Sequence, residues 1–321
     1  MIIPGTLWIA CTIVAAGGQT LRNALQRSLV DTVGTVGATH VRFLYGLPFA
    51  CLFLAGMVAV GAVASPRLTL VFWGWLMLGA LTQIVATAWL LLLMQQRSFV
   101  VSTAYTKTEP VQIALFGFVF LGDRLSSLAV LGVLVATAGV VLLSWKPVRP
   151  DAHPGPEVSS RAGLSAALLR RGSTLRAALL GIATGSMFAV SVVGYRGSIL
   201  ALGDDPFYGR ATLALTLALA MQTLVLSAWL RWREPGRLTS LVRAWRPSLA
   251  AGFLGAFASQ FWFLAFSLQT AAAVRTVGLI EVVFAALLSR RLFAQRSSWR
   301  EWAGIGVTLL GVVLVLAASL S

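Results

Sequence analysis

Apolar residues run along this chain in long blocks, parted by short stretches bearing charges, glycine or proline. A bilayer core needs about 20 apolar residues per crossing helix. Ten such blocks can be marked. Five lie at about 3–24, 34–62, 69–94, 99–121 and 126–145, and five at about 175–200, 206–230, 247–268, 271–291 and 300–319. Between the two sets stands a polar, proline-rich segment containing KPVRPDAHPGPEVSSRAG. The pattern predicts an all-α integral membrane protein with ten transmembrane helices. A first five-helix unit would cover 1–145, a cytoplasmic linker loop 146–173 and a second five-helix unit 174–321.

Composition strengthens this picture. Of 321 residues, 58% are hydrophobic and only 11% charged, against roughly 25% charged in a soluble domain. Mean hydropathy is +0.86. The formal charge of +15 decides between partners only through its placement. Loops after odd-numbered blocks hold 18 Lys and Arg, and loops after even-numbered blocks hold 3. Basic loops face the cytoplasm, so both termini are expected outside a cell (inner or plasma) membrane. The charge is spread over loop after loop, which argues against nucleic acid as a partner. The bilayer and a small molecule are the expected partners, and a homodimer is left open. Arg22 is the first basic residue, so the first block lacks a signal-peptide n-region and reads as a retained helix. Cys11 and Cys51 both lie in apolar blocks, and His40 and His153 stand alone. No metal cluster, phosphate-binding loop or nucleophile elbow is present, so no cofactor, metal or ATP-driven step is expected.

The fourth and fifth blocks repeat in the ninth and tenth. Glu109 aligns with Glu281, Gly132 with Gly304 and Gly139 with Gly311, all at an offset of 172. Gly79 and Trp89 match Gly252 and Trp262 at 173, and Arg42 matches Arg210 at 168. Five crossings per unit is an odd number, so a second copy must enter the membrane from the other side. Inverted repeats of this kind enclose a midplane site in many secondary transporters.

A helix carrying Glu109–Pro110, then LGDRLS at 121–126, then a glycine-bearing helix ending AGVVLL resembles the EamA-type repeat of the drug/metabolite transporter superfamily. The second copy departs from it, with Glu281–Val282 for Glu–Pro and FAQRSS at 293–298 for LGDRLS. The resemblance implies a ten-helix transporter of small molecules, often an exporter of amino acids, amines or other metabolites. Relatives that export cationic drugs typically use an acidic residue in the first helix; neither the first nor the sixth block here has one.

Charges inside the bilayer need a partner or a wet cavity. Six stand out within blocks: Arg42, Lys107, Glu109, Arg210, Arg275 and Glu281. At about 1.5 Å of rise per residue, Glu109 and Glu281 sit near mid-depth. Arg42 and Lys107 lie toward the cytoplasm, and Arg210 and Arg275 toward the outside. The expectation is a central cavity with glutamates at its middle and basic groups above and below. Two plainer readings stand beside it: a structural ion pair for the glutamates, and snorkelling to the interface for Arg210 and Arg275. Pro110 would strain its helix beside Glu109 and expose backbone to substrate, or simply kink it.

Gln19, Arg22, Asn23 and Gln26 share one helical face, a stripe placed to line the cytoplasmic mouth of the cavity. Gln19 is deep enough to reach the cavity, whereas Asn23 and Gln26 read as emerging into headgroups. Gln83, Gln112, Gln222 and Gln260 could line the cavity or bond a neighbouring helix. Trp89 and Trp262, matched by the repeat, are expected to wall it, with Trp73 in an interfacial belt. The paired glycines read as helix-packing positions. The leading functional reading is a secondary transporter exporting small polar metabolites such as amino acids by alternating access. Proton-coupled efflux of cationic amines is the alternative. An enzyme of lipid-linked substrates, resting on Asp123–Arg124 and Asp204–Asp205, is a more distant one.

Overall fold

A computed structural model describes residues 5–63, 66–96, 106, 108–144, 160–284 and 299–320. The described residues are helical with short connections, and no strand occurs among them. Helix α1 spans Leu7–Leu44, α2 Leu47–Ala59 and α3 Leu70–Gln96. Helix α4, Glu109–Phe116, continues into a π-helical turn, Gly117–Leu121. Helix α5 covers Ser127–Ser144, α6 Ser160–Leu200 and α7 Phe207–Arg233. A short α8, Pro235–Arg243, precedes α9, Trp245–Leu268. Helix α10, Ala271–Val277, tightens into a 3-10 turn, Gly278–Ile280, and α11 spans Trp299–Leu320.

Six of the described helices are long and apolar enough to cross a membrane, and two shorter apolar helices cover Glu109–Leu121 and Ser127–Leu142. Their outer faces carry bare apolar side chains: Leu70, Leu224, Phe118 and Phe120 are each more than half exposed. Such a surface suits acyl chains.

Two boundaries differ from the sequence reading. The first two blocks are not parted by a loop: helical backbone runs on through 25–33, and the direction changes at Gly34, with φ 72 and ψ 172. That conformation is essentially reserved for glycine. The residues between the blocks, including Asp31 and Thr32, tolerate helix, so one glycine makes the turn. Likewise, helix α6 starts at Ser160, inside the expected linker; residues 145–159 lie outside those described.

The three most extensive helix pairings each join the first half to the second: α5 with α11, α1 with α9 and α3 with α6. Glycine permits the close approach. A Cβ on Gly132 would lie 2.8 Å from the Gly311 carbonyl, and one on Gly139 2.8 Å from the Gly304 carbonyl. As numbering rises along α5 it falls along α11, so these two helices run antiparallel. Each glycine meets the repeat-equivalent of the other. Between α3 and α6, the Trp75 indole lies over Gly197, where a Cβ would stand 2.6 Å from the ring.

Candidate functional site

Where α1, α3, α4, α6, α9 and α10 converge, a cavity of about 50 Å³ opens between the halves. By the same measure a single water needs roughly 10–15 Å³, so there is room for a few waters. Its lining combines charge, amide and aromatic groups from both halves.

Glu109 begins α4 and is 2% exposed. Arg275 of α10 reaches it across the halves: Nη2 donates to Oε2 at 2.9 Å, and Nε lies 2.8 Å from Oε1 as an ion contact. Arg275 is itself buried, so it does not snorkel to an interface. Its guanidinium also lies over the Trp262 indole, 4.5 Å from the ring centroid. Pro110 stands in the first turn of α4, where a missing N–H costs nothing. Thr106 is helical and Thr108 is in a turn, and Glu109 and Pro110 open the described helix. Lys107 lies outside the described residues.

Glu281 follows the 3-10 turn and is 3% exposed. Gln19 Nε2 donates to its Oε2 at 2.7 Å, while Trp262 Nε1 donates to Gln19 Oε1 at 3.1 Å. The amide thus orients the carboxylate and the indole together. Gly278 leaves the room that the Trp262 ring occupies. Trp262 in turn stacks on Phe266, centroids 5.9 Å apart.

Arg42, 4% exposed, points Nη1 at the Thr87 hydroxyl at 3.3 Å and Nη2 at the Ser259 hydroxyl at 3.5 Å. Arg22, counted with the first cytoplasmic loop and also placed on the stripe at the cavity mouth, is 3% exposed and lines the same cavity, so it is not a loop residue. The helix runs on beyond the first block's expected end at 24, so Arg22 stays within it. Gln26 is likewise buried, donating to the Ala38 carbonyl, and does not emerge into headgroups.

Three expected residues stand elsewhere. Trp89 is half-buried on α3 but does not border the cavity. Gln83 and Leu90, seven residues apart on one face, do. Gln260 donates to the Thr212 hydroxyl at 2.7 Å, tying α9 to α7. Arg210 donates to the Gly203 carbonyl at 3.0 Å and closes the turn between α6 and α7. The repeat match of Arg42 with Arg210 therefore does not carry over to their surroundings.

Sequence reading also missed residues. Tyr195 of α6 lies fully buried on the cavity and donates to Gln83 Oε1 at 2.8 Å; Gln222 Nε2 donates to the Tyr195 hydroxyl at 2.9 Å. Nothing distinguished it within an apolar block. Away from the cavity, Arg196 forks onto both Asp123 oxygens at 3.0 Å and donates to the Phe266 and Gln269 carbonyls. The aspartate of the LGDRLS motif is thus committed to a structural clamp between α4, α6 and α9.

Among the described residues, an all-helical body with a bare apolar exterior and a charged cavity between two halves is that of a polytopic membrane protein. Residues 175–317 match the model of the EamA-like transporter family. That match covers the second half of the chain and supports the resemblance to the EamA-type repeat of the drug/metabolite transporter superfamily. Among solved structures, 26 chains are similar. One, titled only "Crystal structure of protein", superposes with a TM-score of 0.66 at 16% identity, covering 98% of this chain and 96% of its own. At that identity the likeness is one of fold. No curated protein matches the chain.

Proposed function

We propose that the protein is a secondary transporter that exports small polar metabolites, amino acids among them, across the cell membrane. The mechanism proposed is alternating access by ten crossing helices in two inverted five-helix repeats. The observation that carries the reading is the cavity itself: buried carboxylates Glu109 and Glu281 face guanidinium groups at the seam between the halves. Antiparallel α5 and α11, with their exchanged glycine register, support the inversion. The 18-to-3 division of basic residues supports non-cytoplasmic termini.

In this conformation the cavity has room for only a few waters, so a metabolite needs the halves to part. The contacts that would have to yield are those bridging them: Glu109 with Arg275, and Gln19 with Glu281. A substrate offering a carboxylate or an ammonium group could replace one member of either contact as it breaks. The lining arginines favour the carboxylate, which ranks amino acids above the cationic amines of the alternative reading.

Purified protein in proteoliposomes, tested for counterflow with a panel of labelled amino acids and amines, checks this. Saturable flux of at least one amino acid, lost in Glu281→Gln, is the expected result. Flux no greater than that of empty liposomes for every solute would overturn it.

A further inference from the structure

We propose that Arg22 and Arg42 form a carboxylate-binding subsite where α1 crosses α9, fitted to a monoanion with an apolar body. The proposal rests on the transport reading and specifies the substrate class.

Both side chains are buried to within a few per cent. Elsewhere in the fold a buried arginine is matched by acid: Arg275 has Glu109 and Arg196 has Asp123. Arg22 and Arg42 have no carboxylate partner among the described residues. Arg22 spends Nε and Nη2 on the amide oxygen of its own neighbour, Asn23, and its Nη1 has no acceptor. Among the described residues Arg42 hydrogen-bonds only at long range, to Thr87 and Ser259; its guanidinium lies 5.3 Å from the Phe43 ring centroid, and its Nε has no acceptor.

The two are also held together. A Cβ on Gly255 of α9 would stand 3.2 Å from Arg42 Cγ and 3.5 Å from Arg22 Cδ. Both stems therefore run through the space that one missing side chain leaves. Bringing like charges together in a low-dielectric site is unfavourable unless something negative joins them. The described lining does not supply it, since three guanidinium groups face two carboxylates and leave one positive charge over. A single carboxylate restores neutrality, and its two oxygens match the forked donors of arginine. Phe188, Phe263 and Phe266 line the same cavity and offer apolar surface to the rest of the ligand.

The test uses full-length protein in lipid nanodiscs, with benzoate, benzamide and benzylamine as probes of one ring and three head groups. Benzoate raises the unfolding temperature, and the other two do not. Arg22→Lys and Arg42→Lys keep the charge but lose the fork, and each raises the half-saturating benzoate concentration about tenfold. Gly255→Ala, which crowds both stems, does the same, while Arg231→Lys on the exposed end of α7 leaves it unchanged. Equal protection by benzamide or benzylamine, no protection by benzoate, or an unshifted half-saturation in both lysine variants overturns the subsite. The two readings fail separately. Amine or amino acid flux indifferent to both arginines removes the subsite and leaves transport. Arginine-dependent benzoate binding with no flux of any solute leaves the subsite and removes transport.

Discussion

Arg275 donates from Nη2 to Glu109 Oε2 at 2.9 Å, joining residues 166 positions apart and binding the second half of the chain to the first. The pair is buried on both sides. Removing one member of such a pair costs about 3–5 kcal/mol, because the other charge is left without compensation. Removing both costs much less.

Glu109→Gln is therefore expected to lower thermal stability strongly, and Arg275→Gln likewise. The double variant should recover a large part of the loss. A fluorescence-detected unfolding series on the three proteins checks this. Losses that simply add would show that the two groups do not act as a pair.

Helices α5 and α11 touch through backbone. Gly139→Leu and Gly311→Leu each place a side chain where the facing helix already stands, at Thr308 and Ala136 respectively. Overpacking of this kind costs typically 1–3 kcal/mol and more when backbone must move. Both variants should give less folded protein on size-exclusion chromatography. Gly306→Leu, with open space around its Cα, should behave as wild type.

Arg196 satisfies a carboxylate and two carbonyls at once. Arg196→Gln leaves Asp123 with no cation and cannot span all three acceptors. A loss of roughly 3 kcal/mol is expected. Asp123→Asn should cost less, because the arginine keeps its two carbonyls. Unfolding temperatures in that order check the assignment, and the reverse order would sink it.

Gly34 holds a backbone conformation that other residues rarely reach. Gly34→Ala should reduce folded yield by an energy of order 1–3 kcal/mol. Gly17→Ala, at a position with ordinary van der Waals space, should not.

Much of the site was legible because charge inside an apolar block is costly and so stands out. Glu109, Glu281, Arg42, Arg275, Gln19 and Trp262 were read from sequence, and the fold brings all six to one cavity. What sequence does not give is the direction a residue faces around its helix. In a soluble helix an apolar stripe marks the inner face. Here lipid and protein interior are equally apolar, so the stripe vanishes. Trp89 was expected on the cavity and is not there, and Tyr195 gave no sign that it was. Arg22 was counted with a cytoplasmic loop because it lies two residues short of the first block's expected end at 24, while the backbone stays helical as far as Gly34.

From Gly34 to Arg42 is eight residues of helix, about 12 Å of rise. That stretch is a lever arm with its fulcrum at one peptide. A 10° swing at the fulcrum carries the far end sideways by about 2 Å, as much as separates a good hydrogen bond from none. A residue with no side chain therefore aims a guanidinium two turns away. The spacing of the two unmatched charges beneath Gly255 is set at this elbow as much as by anything that touches them.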